Sequence, residues 1–247
     1  NKRLINFTPS GRVTTNLDYH DHYDKETTKS TPKKLSVSKL ITTMAELNID
    51  ADALEPLKTN TVFDKFMSNE GGFLPGTNVM AAGAPGVGKT TLLLELLYGV
   101  QQTGKKVLFI SAEMSEMDMA RYMKRFPNWS KLPILFLNNH TDSCPKTVVE
   151  RVINEGWDLI LTDSYTEVND TVKEACNLTR GKVEKWFLDL MVDNNKGLNK
   201  NKIHTTFVTI LQLSKGGQFV GSNKLKHMTS AMMDINWEGS ENSGTRY

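Results

Sequence analysis

The sequence predicts an α/β fold, a mostly parallel sheet covered by helices, and three observations carry that expectation. After Gly76 the hydrophobic pattern alternates between short apolar runs and longer stretches with helical spacing. The first run opens directly into Gly83-Ala84-Pro85-Gly86-Val87-Gly88-Lys89-Thr90, and an apolar helical stretch follows at once. A later run, Asp158-Leu159-Ile160-Leu161-Thr162-Asp163, is apolar and ends in a carboxylate, as a buried strand reaching a ligand site would.

Taken in order, residues 1–36 hold seven basic and four acidic residues among many Thr, Ser and Asn. Such a segment buries too little apolar surface to offset its ordering entropy, so it reads as a flexible arm. Asp18, His20, Asp21, His22 and Asp24 lie within it; neighbouring polar residues in a loop ordinarily stay solvated, and no metal is assigned there. Val37, Leu40, Ile41, Met44, Leu47 and Ile49 recur with near-helical spacing, which predicts a short amphipathic helix and closes an N-terminal extension of residues 1–57. The core is expected over 58–247. Its strands are placed at 78–82, 106–111, 134–137, 159–163, 205–213 and 232–237, with helices at 90–103, 115–126, 146–155 and 182–192. The Asn/Lys-rich stretch 194–201 reads as a solvated connection.

Composition narrows the function classes. The longest apolar stretches fall far short of the roughly 18 residues that span a bilayer, which predicts no membrane segment. With 30 Lys plus Arg against 28 Asp plus Glu, net charge does not call for a polyanionic partner, so any nucleic-acid site has to come from a local patch. Two cysteines without a CxxC spacing, Cys144 and Cys176, offer neither a disulfide framework nor a thiolate zinc site and read as free thiols of a cytoplasmic protein.

The glycine-rich stretch fits GxxxxGK[ST] between a strand and a helix, the context in which that spacing binds phosphate. Its glycines let successive N–H groups curl around phosphate oxygens, and the positive end of the following helix favours the anion. Residues Gly83, Ala84, Pro85, Gly86, Val87, Gly88, Lys89, Thr90 and Thr91 are therefore the expected ATP-binding set. Lys89 should reach the β- and γ-phosphates, the Thr90 hydroxyl should ligate Mg²⁺, and Asp163 should hold the same ion through water. Hydrolysis also needs a group to orient the attacking water. Glu113, just past the strand at 106–111, is the candidate, its strand end expected beside the phosphate loop; a Glu favoured by a helix N-terminus is the alternative, which Glu116 and Asp118 fit equally well. Gln212 closes the strand at 205–213, where it can sense the γ-phosphate.

With those residues located, the chain from about residue 59 to 247 resembles the RecA-like core of the RadA/Sms branch-migration ATPases. The matching stretches are Thr61-Val62-Phe63-Asp64-Lys65-Phe66 with Gly71-Gly72-Phe73-Leu74-Pro75-Gly76, the phosphate loop, Leu108-Phe109-Ile110-Ser111-Ala112-Glu113-Met114-Ser115 with Arg121 and Arg125, and Lys215-Gly216-Gly217-Gln218 through Leu225-Lys226-His227-Met228. The resemblance implies Glu113 as catalytic glutamate, Asp163 as the Walker B residue, DNA-binding loops after Asp163 and after Gln212, and a ring or filament with nucleotide between subunits. That family's strand usually ends in His where this chain has Gln212, a residue more like RecA and the DnaB helicases, and its four-cysteine zinc module is absent from the sequence.

Between residues 171 and 227 ten basic residues face four acidic ones. Backbone phosphates attract such a surface without reading bases, and Arg180 and Lys182 in the first loop with Lys215, Lys224 and Lys226 in the second are the expected DNA contacts. A merely solvated basic face is the alternative. The expected function is an ATP-dependent DNA motor or recombination ATPase acting on single-stranded or branched DNA as a homo-oligomer, a hexameric ring, alongside a recombinase or replication protein. A KaiC-like regulatory ATPase without DNA and a nucleotide-gated assembly protein remain the competing readings.

Overall fold

The computed structural model describes residues 40–47, 49–140, 143–196, 199–213, 225 and 229–236, together with the backbone of 5–7 and 13–15. Lys215, Lys224, Lys226 and the acidic and histidine residues at 18–24 lie outside the described residues. The chain divides into two compact units, Asn1–Asn48 and Ile49–Tyr247.

In the first unit β1 (Ile5–Phe7) and β2 (Val13–Thr15) pair antiparallel, with Ile5 opposite Thr15. The amphipathic helix expected near 37–57 is corrected to two 3₁₀ turns, Met44–Glu46 here and Ala51–Leu54 at the start of the second unit. Leu40, Ile41, Met44, Leu47, Ile49 and Leu54 are all exposed. Helical spacing without a surface to bury against does not sustain a short helix, because nucleation costs more than a few hydrogen bonds return.

The second unit runs α1 (Asp64–Met67), β3 (Asn78–Ala82), α2 (Lys89–Gln102), β4 (Val107–Ser111), α3 (Glu116–Arg125), β5 (Ile134–Phe136), α4 (Pro145–Asn154), β6 (Leu159–Asp163), α5 (Tyr165–Ala175), α6 (Arg180–Asn195), β7 (Thr206–Ile210) and β8 (Ala231–Asp234). The six strands β3 to β8 form one sheet in the order β5-β4-β6-β7-β3-β8, and every neighbouring pair is parallel. Helices cover both faces, which is why the strands read as unbroken apolar runs. Successive residues point to opposite faces. Val79, Ala81, Phe109, Leu161 and Val208 pack with the α2 leucines 93, 94, 96 and 97 and with Trp129. Met80, Ala82, Ile110, Ile160 and Phe207 pack with Val149 of α4, Val168 and Val172 of α5 and Phe187 of α6. Burial of each such leucine contributes about 1.5–3 kcal/mol, so α2 is held to the sheet largely by its own four.

Two further expectations are corrected. The segment after Asp163 is helix α5 rather than a loop, and α6 begins at Arg180, so Arg180 and Lys182 stand on a helix. Burial of Val168 and Val172 against the sheet drives that outcome. The stretch 194–201 is tied down where described: Asn199 is buried, donates to the Ile203 carbonyl at 2.6 Å and accepts from the Ile203 amide at 3.0 Å.

Candidate nucleotide site

At the C-terminal end of β3 the chain leaves the sheet through the glycine-rich loop and re-enters regular structure as α2. Gly86 and Gly88 have φ of 77° and 95°, and Gly88 is the left-handed N-cap of α2. A side chain there would be strained, and glycine alone adopts this curl at little cost. Gly83 meets a different limit: an added Cβ would lie 2.3 Å from the Ile235 carbonyl oxygen just past β8.

The Lys89 ammonium donates to the carbonyls of Gly83 at 2.9 Å and Ala84 at 3.0 Å, so it spans the mouth of its own loop. Burial lowers its pKa, while Asp163 and Glu113 pull it up. The Thr90 hydroxyl donates to Asp163 Oδ2 at 2.5 Å, joining the start of α2 to the end of β6. Asp163 is buried, and its carboxyl is pushed up to about 6 by that burial; the Thr90 hydrogen bond and Lys89 oppose the rise, and Glu113 adds to it. Thr91 instead turns its hydroxyl to the Tyr122 hydroxyl of α3 at 3.3 Å.

Glu113 was expected at a strand end beside the phosphate loop, but β6 and β7 stand between β4 and β3. It reaches the site another way. Ser111 is in register with Asp163, and beyond it the amides of Ala112 and Glu113 both donate to the Asp163 carbonyl, at 2.8 and 3.3 Å. The chain therefore bends over the end of β6, and Asn138 holds the bend by donating to the Ala112 carbonyl at 2.7 Å. The Gln212 amide, two residues past β7, donates to Glu113 Oε2 at 3.2 Å.

Lys89, Thr90, Asp163, Glu113 and Gln212 thus meet at one end of the sheet. Arg180 and Lys182 do not join them: Arg180 pairs with Asp170 at 3.1 Å and Lys182 is exposed on α6. Arg121 pairs with Asp118 at 2.7 Å, and Arg125 lies over the Phe126 ring. Sequence reasoning missed Glu167, on the first turn of α5, whose carboxyl is raised by burial and then by Glu113 and Asp170. Ser164-Tyr165-Thr166-Glu167 ahead of Val168 and Val172 was the available signal, a capping-box pattern that marks a helix start.

One hydroxyl and one buried carboxylate, both oxygen donors, fit a hard divalent cation held with water. The amides of a curled loop and a partly desolvated ammonium fit phosphate oxygens.

The family described as "ATPase: KaiC" matches residues 57–131. DNA repair protein RadA of Campylobacter jejuni is 29% identical over 165 residues, covering 66% of this chain and 34% of that protein. RadA of Mycobacterium tuberculosis is 25% identical over 199 residues, covering 80% and 39%, and RadA of Rickettsia typhi is 26% identical, covering 86% and 46%. The chain therefore spans about a third to a half of the length of these relatives. The crystal structure of a KaiC-like protein from Pyrococcus horikoshii superposes with a TM-score of 0.55 at 19% identity, over 78% of this chain and 85% of that one. The fold is the RecA-type ATPase fold that these proteins share. Among the described residues no helix is long and apolar enough to cross a membrane.

Proposed function

We propose that this RecA-type, KaiC-like ATPase domain binds ATP with Mg²⁺ at residues 83–91 and hydrolyses it in support of a motor or recombination activity on single-stranded or branched DNA. The observation that carries the hydrolytic reading is the meeting of Lys89, Thr90, Asp163, Glu113 and Gln212 from four separate elements at one sheet end. Lys89 exchanges two backbone carbonyls for phosphate oxygens, a stronger charge-assisted pairing. Thr90 would ligate Mg²⁺ and Asp163 would hold it through water; the ion would neutralise charge on the β- and γ-phosphate oxygens. Glu113 orients the attacking water and takes its proton. The Gln212 amide holds Glu113 until a γ-phosphate offers a better acceptor, and its release reports that phosphate to the segment after β7.

The DNA part of the reading is supported by the likeness to DNA repair proteins over most of the chain, and by the basic residues at 215, 224 and 226 that follow Gln212. A homo-oligomeric ring in the cytoplasm is the matching assembly. ATP hydrolysis measured with and without single-stranded DNA, at low and moderate salt, is the test. Several-fold, salt-sensitive stimulation is expected, because each phosphate contact releases counterions. Steady hydrolysis indifferent to DNA would replace the DNA motor with a regulatory ATPase, and a Glu113→Gln chain that still hydrolyses ATP would remove Glu113 from its role.

A further inference from the structure

Cys144 and Cys176 are the chain's two cysteines, and although they are 32 positions apart their sulfurs lie 2.9 Å from each other. Cys144 is the N-cap of α4, and Cys176 is the C-cap of α5. Neither residue takes part in the nucleotide site, so this pair has no task in the proposed hydrolysis. Their surroundings differ. Cys144 is exposed and Cys176 half-buried, so a dissolved oxidant meets Cys144 first. The Cys176 thiol, and then the Thr147 amide on the first turn of α4, hold the Cys144 thiol below its ordinary range; burial pushes Cys176 up. An accessible sulfur with thiolate character beside a shielded one is the arrangement of an attacking and a resolving cysteine.

We propose that Cys144 and Cys176 form a reversible dithiol–disulfide site whose oxidant is a hydroperoxide. The Cys144 thiolate attacks the distal peroxide oxygen, the O–O bond breaks, and the leaving oxygen takes up a proton as water or alcohol. Cys144 is thereby oxidised by two electrons to a sulfenic acid. The Cys176 sulfur then attacks the Cys144 sulfur, the S–O bond breaks, and the departing hydroxide takes the Cys176 proton to leave as water. The disulfide joins the start of α4 to the end of α5 on the sheet face opposite α2. A dithiol returns both cysteines to thiols by exchange, itself becoming the oxidised partner.

The test uses the full chain, reduced, freed of reductant and exposed to hydrogen peroxide. The expected product is a monomer lighter by two hydrogen atoms, with one peptide pair linking Cys144 to Cys176 in an unreduced digest, reversed by dithiothreitol. Closing a loop of this length is expected to raise Tm by roughly 3–10 °C. Cys176→Ser should stop at a sulfenic acid on Cys144 that dimedone traps, and Cys144→Ser should react with peroxide about ten-fold more slowly. Serine is a good N-cap, so the latter variant keeps α4. Sulfinic acids or interchain dimers in the parent chain, with no intrachain pair, would overturn the site. Equal peroxide rates in the two variants would overturn the assignment of Cys144 as the attacking sulfur.

Discussion

At the sheet end where β3, β6 and β7 converge, Lys89, Asp163 and Glu113 act on one another across strands, and the buried Asp163 and half-buried Lys89 are each held in a costly state: Asp163 is raised to about 6 and Lys89 is lowered. Along α5 and α6 the arrangement is the reverse. Lys173 and Arg180 both pair with the half-buried Asp170, while Lys185 pairs with Asp189 and Lys196 with Asp193 at 3.3 Å on exposed side chains. Exposed pairs of this kind contribute about 0–1 kcal/mol and leave little field for a distant anion. A basic excess counted along the chain therefore overstates what this helical face offers, whereas the single, partly desolvated Lys89 ammonium at the phosphate loop attracts an anion more strongly than its number suggests.

The sharpest break of that comparison is Lys89→Ala, which should weaken ATP binding at least 100-fold and remove hydrolysis; calorimetric titration with ATP checks it. Glu113→Gln should leave ATP affinity within a few-fold and lower the hydrolysis rate by about 10²–10⁴, a split that single-turnover assays would read.

Stability should respond in the opposite sense. The Asp163 carboxyl titrates near 6 in the folded chain against about 4 when unfolded. The folded state therefore holds a proton that the unfolded state has already lost between those values, and stability falls as pH rises through that window, by about 3 kcal/mol in total. Asp163→Asn should remove this loss: urea midpoints should show the variant more stable than the parent by about 1–3 kcal/mol at pH 7.5, with the gain gone at pH 4. An unchanged or lower stability at pH 7.5 would mean that Asp163 is not held in a costly state.

On the helical face the effects should be small. Lys182, which has no ion pair among the described residues, should lose about two- to five-fold in single-stranded DNA affinity on change to Ala at low salt, and Arg180→Ala less, because Asp170 already occupies that guanidinium. Asp189→Ala should move stability by under about 0.5 kcal/mol in a urea titration.

Much of the core was legible because its signals are local. The strand Asn78–Ala82, the loop with its glycines and Lys89, and the strand ending at Asp163 are each written in a few consecutive residues, and the structure places all three where the pattern predicts. The helices after β3, β4 and β5 were visible from spacing to within a residue or two of each end. Helix α5 is marked at its start by Ser164 and Glu167, but it reads as a loop by resemblance, and only burial against the sheet shows that Val168 and Val172 form one helical face.

What the chain alone determined is the chemistry of single segments: a loop that curls because glycine tolerates positive φ, and strands apolar enough to lie inside a two-faced sheet. Only the tertiary structure decided which segments meet. Strand order put β6 and β7 between the phosphate loop and β4, and the bend of Glu113 over the end of β6 restored their contact. It also left Leu40, Ile41, Met44, Leu47, Ile49 and Leu54 exposed, set carboxylates against Arg180, Lys185 and Lys196 of the basic helical face, and brought Cys144 to Cys176. Pairing, burial and charge balance depend on neighbours distant in sequence, and local periodicity carries no record of them.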